Sequence, residues 1–216
     1  MDSLQHLYLI RHGMREDFVD PTWRERAKRP YDPPLSAAGF RQAALIAEAL
    51  KDRGITTLIS SPFLRALQTA APLAEAADVP IFVEPGFGEW LNPAWMSGPP
   101  DLPNATQARA LFARVDTEYR PKGSSHFPEH DERVEVSARI QTTLRALLQD
   151  YQGGAMAIVA HGSPLGQSIA WLVPGATGVS MQVGSITRIE RREDEFRLIT
   201  SGTDHLGEAG SPVRLH

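Results

Sequence analysis

Cysteine is absent from the sequence. Its absence excludes thiolate nucleophiles, disulfide bonds and thiolate metal sites, because each of these requires a cysteine sulfur. A chain without cysteine is consistent with a reducing compartment.

Long apolar runs and an excess of basic residues are also missing. No apolar stretch approaches the roughly 20 residues that a helix needs to span a bilayer. The segment from Met1 to Ile10 lacks the basic start and long apolar centre of a signal peptide. The net charge of −4 has the wrong sign for a general nucleic-acid-binding protein. We therefore expect a cytoplasmic protein that binds neither membranes nor nucleic acid.

The sequence does contain enough apolar residues for a core, 42% of 216. Short apolar runs typical of strands buried on both faces are Leu7–Ile10, Leu58–Ile59 and Ala155–Ala160. Helical patterns cover residues 37–53, 63–77, 132–151 and 163–173. Residues 185–191 and 195–200 resemble a hairpin around Glu193 and Asp194. This alternation predicts an α/β fold with a mostly parallel sheet covered on both sides.

One predicted helix, over residues 132–151, carries a stripe of apolar residues that we assign to core packing. The stripe consists of Val134, Val136, Ile140, Leu144, Leu147 and Leu148.

Two segments, Asp17–Pro34 and Glu84–Asn104, fit neither helix nor strand because they are rich in proline, glycine or aromatic residues. Long ordered loops in a compact domain are usually functional. We predict one domain over residues 1–216, with loop insertions at about 16–35 and 84–131.

Unusual polar residues follow each of the three apolar runs. Arg11 and His12 follow the first run, Ser60, Ser61 and then Arg65 follow the second, and His161 follows the third. Because the carboxyl ends of parallel strands lie at one edge of a sheet, these side chains are expected to converge. Arginine offers a planar fork of donors for phosphate oxygens, so the convergence predicts an anion pocket.

These motifs resemble the histidine phosphatase superfamily, the phosphoglycerate-mutase-like fold. The matching residues are Leu9–Gly13, Ser36–Gly39 with Gln42 and Ala43, Ser60–Ala70, and Val159–Gly162. The resemblance implies a three-layer α/β/α sandwich and a phosphohistidine mechanism that uses no metal or other cofactor.

A closer likeness is to the branch of the suppressor of T-cell receptor signalling phosphatases. It rests on Arg15, Asp32–Ser36, Val83–Trp90 and Tyr119–Pro121. We expect a phosphomonoester substrate, either a small molecule or a phosphoprotein, and the aromatic residues of the two irregular segments suggest aryl or phosphotyrosine-like ones. Related domains also make a homodimer an expectation.

Within this resemblance His12 is the expected nucleophile. Arg11, Arg15 and Arg65 would bind the phosphoryl oxygens and disfavour a second positive charge on the imidazole. His161 would donate to another phosphate oxygen.

A carboxyl group must protonate the leaving group. The resemblance places Glu89 over the pocket as this donor. The sequence alone does not separate Glu89 from Glu84 or Glu16.

Aromatic residues in the two irregular segments have two interpretations. Phe18, Trp23, Phe87, Trp90 and Trp95 either line a pocket for an aromatic leaving group or form a small satellite core under the loops.

Other functions remain open. A mutase or sugar-phosphate phosphatase of the same fold is disfavoured by Met14–Asp17, which replaces the polar residue, Ser and Asn typical of those groups. A non-catalytic protein that binds phosphorylated ligands or a protein partner is disfavoured because every expected pocket residue is present.

Hydrolases of other chemistry fit less well. A serine hydrolase is excluded because His161 stands where the nucleophile motif requires glycine. A metal hydrolase is disfavoured because no histidine or carboxylate pair has a familiar ligand spacing.

Overall fold

The computed structural model of this chain describes residues 4–151, 153–193 and 195–207. Within them a six-stranded sheet has the order β3-β2-β4-β1-β5-β6. The strands are β1 (Leu4–Arg11), β2 (Ile55–Ser60), β3 (Ile81–Val83), β4 (Gly154–Ala160), β5 (Ile186–Arg192) and β6 (Glu195–Gly202). Strands β1 to β4 run parallel, and β5 is antiparallel to both of its neighbours. The predicted mostly parallel sheet is confirmed.

Helices pack on both faces of this sheet. The helices are α1 (Trp23–Arg26), α2 (Ala37–Leu50), α3 (Leu64–Ala77), α4 (Ala105–Leu111), α5 (Ser137–Asp150) and α6 (Gly162–Leu172). Helices α2 and α3 share one apolar cluster with Tyr8 and Ile10 of β1. Helices α5 and α6 share another with Leu7 and Leu9 of the same strand. Successive residues of β1 therefore point into different layers, which confirms the expected three-layer α/β/α arrangement.

Local sequence signals explain where two of these helices begin. Ser36 precedes α2, and its hydroxyl accepts a hydrogen bond from the Gly39 amide at 3.2 Å. Helix α3 starts at Leu64, one residue later than predicted, because Phe63 has an extended backbone. This start sets Arg65 in the first turn of α3, close to the ends of the strands.

The core assignment of Val134 was wrong, because its side chain is 63% exposed. Residues Glu132–Val136 form a π-helical turn before α5, and the buried stripe of this region starts at Val136. Val134 lies two residues earlier, close to half a helical turn away from that stripe, and therefore faces solvent.

The two irregular segments contain more structure than predicted. The first holds α1, and the second begins at Glu84, whose side chain caps the short 3₁₀ turn Pro85–Phe87 directly after the unpredicted strand β3. Asn104, the last residue of the second segment, caps the unpredicted helix α4 through a capping box with Gln107.

Strands β5 and β6 form the predicted hairpin, and Glu193 at its turn adopts a left-handed conformation. Asp194, also predicted at this turn, lies outside the described residues. Across the described ranges no helix is long and apolar enough to cross a membrane. That the whole chain forms one domain stays a prediction.

Candidate active site

The carboxyl ends of three neighbouring parallel strands form the floor of the candidate site. Arg11 pairs with Ala160 across β1 and β4, and the His12 amide donates to the Ala160 carbonyl at 3.0 Å. On the other side of β4, the Ser61 amide donates to the Val159 carbonyl at 2.9 Å. The sheet order therefore brings His12, Ser61 and His161 together although they are distant in sequence.

His12 is completely buried, and its two ring nitrogens have different environments. Nδ1 lies 2.8 Å from the Gly13 carbonyl, which can only accept, so Nδ1 carries the proton. Nε2 has no hydrogen-bond partner among the described residues. Burial, and then the charge of Arg65, hold the pKa of His12 well below its ordinary value. The ring is therefore neutral at physiological pH, with the Nε2 lone pair available.

His161 lies against His12, with ring centroids 5.1 Å apart at an angle of 60°. Its Nε2 is 2.7 Å from the Ser61 hydroxyl, and its Nδ1 has no hydrogen-bond partner in the described part of the chain. Burial, and then Arg65, keep its pKa well below the ordinary value. The Ser61 hydroxyl can donate to Nε2, and the Glu89 carboxylate 3.6 Å from Nδ1 favours the proton of the neutral ring on Nδ1, from which it can be donated to an anion.

Arg65 is only 1% exposed, yet its Nε and Nη1 have no hydrogen-bond partner among the described residues. Its Nη2 is 3.6 Å from Glu89, and its Nη1 is 3.9 Å from Asp32. Burial lowers the pKa of Arg65 to about 10, so it stays charged at neutral pH. A buried guanidinium with donors unused by the protein is suited to bind an anion.

The other two predicted arginines line the same cavity but differ in how they are held. Arg11 donates from Nη1 to the Met181 carbonyl, and its buried Nε has no partner in the described ranges. Arg15 forms a two-pronged ion pair with Asp17 and lies over the Phe18 ring at 4.5 Å. The Arg15 guanidinium is thus partly occupied by Asp17, whereas Arg11 retains a buried donor that no described residue uses.

The structure separates the three candidate proton donors. Glu89 lines the cavity, with Oε2 3.6 Å from both Arg65 Nη2 and His161 Nδ1. Glu84 is fully buried away from it and accepts four hydrogen bonds, from Gly86, Tyr119, Lys122 and Gly123. Glu16 lies in a short 3₁₀ turn and is not among the lining residues. Only Glu89 of the three is placed to reach a bound phosphoryl group.

The cavity has a volume of about 470 Å³ and a partly aromatic wall. Phe18, Trp90 and Trp95 line it, and the two indoles meet edge to face at 5.0 Å. Phe87 is instead fully buried in the main core, and Trp23 is not a lining residue. A satellite core also exists under the loops, built on Phe63, Leu91 and Met96. None of the five aromatic residues belongs to that satellite core. The pocket interpretation fits Phe18, Trp90 and Trp95, and neither interpretation fits Phe87 or Trp23.

A metal ion is the other species that this cluster could hold. Ligand atoms of His12, Glu89 and His161 lie within 4.8 Å of one another. Arg65, however, lies 3.6 Å from the same Glu89 carboxylate, and Arg11 lines the same cavity. The surrounding positive charge favours an anion over a cation.

Sequence reasoning gave no role to two residues that hold the site. Asp32 accepts from the Leu64 amide at 2.8 Å beside Arg65, but it was noted only as part of a motif. Arg139 lies on the buried side of α5, three residues after Val136 and one before Ile140, with a side chain only 6% exposed. The signal available in the sequence was a charged residue placed at helical spacing within an otherwise apolar stripe.

Comparison with known families assigns this arrangement. Residues 7–204 match the Histidine phosphatase superfamily (branch 1). The chain belongs to this superfamily. Its members are phosphatases or mutases, which supports an enzyme activity.

Among curated superfamily relatives, the chain is similar to a probable phosphoglycerate mutase, GpmB, of Yersinia pestis. The identity is 29% over 171 residues, which covers 77% of this chain and 74% of the relative.

Solved structures of the superfamily share the fold. The ecdysone phosphate phosphatase from Bombix mori, in complex with tungstate, has a TM-score of 0.70 at 19% identity, covering 98% of this chain and 95% of that one. A mycobacterial glucosyl-3-phosphoglycerate phosphatase complexed with VO3 has a TM-score of 0.63 at 25% identity, covering 90% and 97%.

Proposed function

We propose that the protein is a metal-independent phosphomonoesterase that transfers a phosphoryl group to Nε2 of His12 and then to water. The observation that carries this proposal is the state of the His12 ring. Its Nδ1–H is fixed on the Gly13 carbonyl, and its unpartnered Nε2 lies in a cluster with Arg65 and His161. A neutral imidazole held in one tautomer beside unused cationic donors is an activated nucleophile for phosphorus.

In the first step the substrate phosphoryl oxygens accept hydrogen bonds from the unused donors of Arg11, Arg65 and His161. Nε2 of His12 attacks phosphorus, an N–P bond forms and the ester P–O bond breaks. The electron pair of that bond leaves on the ester oxygen, which takes a proton from Glu89. The arginines offset charge on the equatorial oxygens, which is the main catalytic contribution expected in phosphoryl transfer.

In the second step the Glu89 carboxylate removes a proton from water. The water oxygen attacks phosphorus, the N–P bond breaks and its electron pair returns to Nε2. Inorganic phosphate leaves, and both Glu89 and His12 regain their starting protonation states.

The proposed substrates carry an aryl or phosphotyrosine-like leaving group. This finer assignment is supported by Phe18, Trp90 and Trp95 along the cavity, since aromatic walls favour aromatic ligands. The resemblance to the suppressor of T-cell receptor signalling branch, through Arg15 and the Val83–Trp90 motif, supports the same substrate class.

A phosphoglycerate-mutase-type activity is the second candidate, favoured by the probable mutase among the relatives. A mutase returns the phosphoryl group to a second hydroxyl of the sugar acid, whereas a phosphatase gives it to water. Measuring free phosphate against isomerised product from a phosphoglycerate therefore distinguishes the two.

The experiment that tests the proposal is the substitution His12→Ala, with His130→Ala as the matched control because His130 is exposed. We expect His12→Ala to abolish release of 4-nitrophenol from 4-nitrophenyl phosphate while the circular dichroism spectrum stays unchanged. The wild type and the control should both hydrolyse the ester and yield an acid-labile, alkali-stable phosphoenzyme after quenching. Full turnover by His12→Ala would refute the phosphohistidine route.

The other expectations stay proposals. We infer a phosphomonoester substrate, a cytoplasmic location, a homodimer, and no binding to nucleic acid or membranes.

A further inference from the structure

Arg139 in α5 and Glu129 in the preceding loop form a buried ion pair outside the cavity lining. Both side chains are only 6% exposed. Arg139 donates from Nε to Oε1 at 2.7 Å and from Nη2 to Oε2 at 2.9 Å, so the two planar groups meet in parallel. Burying two charges is unfavourable unless their remaining hydrogen-bonding positions are satisfied. The partners that satisfy them indicate what the pair does.

The remaining donors of Arg139 go to the backbone of the segment that carries Glu89. Nη1 donates to the carbonyls of Gly86 at 2.8 Å and Gly88 at 3.0 Å, and Nη2 reaches the Glu89 carbonyl at 3.4 Å. One guanidinium thus holds three carbonyls within four consecutive residues.

Glu129 holds the same segment on the other side of Glu89. Its Oε2 accepts from the Leu91 amide at 2.9 Å, and its own amide donates to the Leu91 carbonyl at 2.9 Å. Its carbonyl accepts from the Trp90 indole at 2.9 Å. Residues 88–91 belong to no helix or strand, so this ion pair replaces the support that regular structure would give.

We propose that Arg139 is a positioning residue that, through its pair with Glu129, holds the Glu89 carboxyl where it protonates the leaving group. The inference rests on the proposed function, in which Glu89 is the general acid. Arg139 acts through the backbone and touches neither substrate nor the phosphoryl group.

The test compares two esters that differ in their need for an acid. Phenyl phosphate has a poor leaving group that requires protonation, whereas 4-nitrophenyl phosphate has a good one that does not. Because kcat/KM reports the first phosphoryl transfer, Glu89→Gln should lower it at least tenfold more for phenyl phosphate. Arg139→Met should show the same selective loss and flatten the basic limb of the pH profile for phenyl phosphate. If the role of Arg139 were purely structural, Arg139→Met would lower kcat/KM by the same factor for both esters.

Two further variants keep the outcome decisive. Arg139→Lys keeps the charge but loses the two-pronged geometry, and it should recover part of the selective loss. If Arg139→Met does not fold, Arg139→Lys itself must show a selective loss relative to wild type. Arg145→Met is the matched control, because Arg145 is exposed on the same helix, and it should leave kcat/KM unchanged for both esters.

The failure of this inference differs from that of the proposed function. A selective loss in Glu89→Gln but an equal loss on both esters in the Arg139 variants would overturn the positioning role alone. An equal loss in Glu89→Gln would remove Glu89 as the acid and the positioning role with it, while only full turnover by His12→Ala would overturn the phosphohistidine route.

Discussion

At the scale of single residues, Asp32 shows how burial and charge compete beside the anion site. Its carboxyl is 2% exposed, and Oδ2 has no hydrogen-bond partner among the described residues. Burial raises its pKa to about 6, against the opposing effects of the Leu64 amide, Arg65 and Arg29. Protonation is therefore favoured in the folded state relative to the unfolded chain. This contribution to stability is complete below the ordinary value near 3.8 and is lost as the pH rises through 6.

The substitution Asp32→Asn tests this balance. The amide keeps an oxygen for the Leu64 amide but never ionises, so the variant should gain stability over wild type as the pH rises from 4.5 to 7.5. The size expected from the pKa change is on the order of 2–3 kcal/mol, measured as the free energy of unfolding in urea at both pH values. Asp52→Asn is the control, because its carboxylate is exposed and does not contribute to the pKa of Asp32. A loss of stability in Asp32→Asn at pH 7.5 would mean that attraction to Arg65 outweighs burial.

Single residues also mark the limit of what the sequence predicts. Arg11, His12, Arg65 and His161 could be named because each lies at or shortly after the end of a strand, and strand ends converge in any parallel sheet. Glu89 could not be separated from Glu84, because the path of the four residues between them decides which carboxylate faces the cavity. Glu84 is turned inward by amides and a hydroxyl contributed by residues up to 39 positions away.

At the scale of elements, length decides which parts of the fold are predictable. The long helices α2, α3 and α6 were located closely, because apolar periodicity accumulates over several turns. The strand β3 has three residues and the helix α4 has seven, too few for periodicity to stand out. For α4 the capping box of Asn104 and Gln107 was the readable signal.

The turn that carries His12 depends on contact with the first turn of α2. The Met14 carbonyl accepts from the Ser36 amide at 2.9 Å, and a Cβ on Gly39 would lie 2.1 Å from that same carbonyl oxygen. Since backbone cannot yield as a flexible side chain does, Gly39→Ala should push the turn away from α2. We expect a destabilisation of roughly 2 kcal/mol or more and a several-fold loss of kcat/KM.

The matched control for this prediction is Gly166→Ala in α6. Nothing lies within 4 Å of a Cβ there, so alanine should stabilise the helix by up to about 1 kcal/mol. Urea unfolding and kcat/KM for 4-nitrophenyl phosphate measure both variants. Wild-type stability in Gly39→Ala would contradict the close packing of the turn on α2.

At the scale of the whole molecule, the chain has a net charge of −4 but gathers four arginines, Arg11, Arg15, Arg24 and Arg65, around one cavity. Sheet topology predicts that Arg11 and Arg65 meet, whereas Arg15 is expected only from the family resemblance and Arg24 was not predicted. The shape of the cavity wall could not be predicted, since Phe18 and Trp95 reach it from separate loops whose course depends on tertiary contacts. The charge pattern nevertheless has a global consequence, because only the folded chain brings these cations together.

Inorganic phosphate should therefore stabilise the fold. A ligand that binds only the folded state at 100 times its Kd adds about 2.7 kcal/mol, which corresponds to roughly 5–10 °C in Tm for a chain of this length. The rise in Tm should be measured by thermal unfolding in EDTA and should persist there, since arginine and histidine donors bind the anion without a metal.

Two controls locate the effect at the cavity. Chloride at the same ionic strength should raise Tm much less than phosphate, because chloride screens the arginines without bridging them. Arg65→Met should remove most of the phosphate-dependent rise, because Arg65 supplies buried donors unused by the protein. An equal rise in chloride, or an undiminished phosphate effect in Arg65→Met, would show that the anion acts elsewhere on the surface.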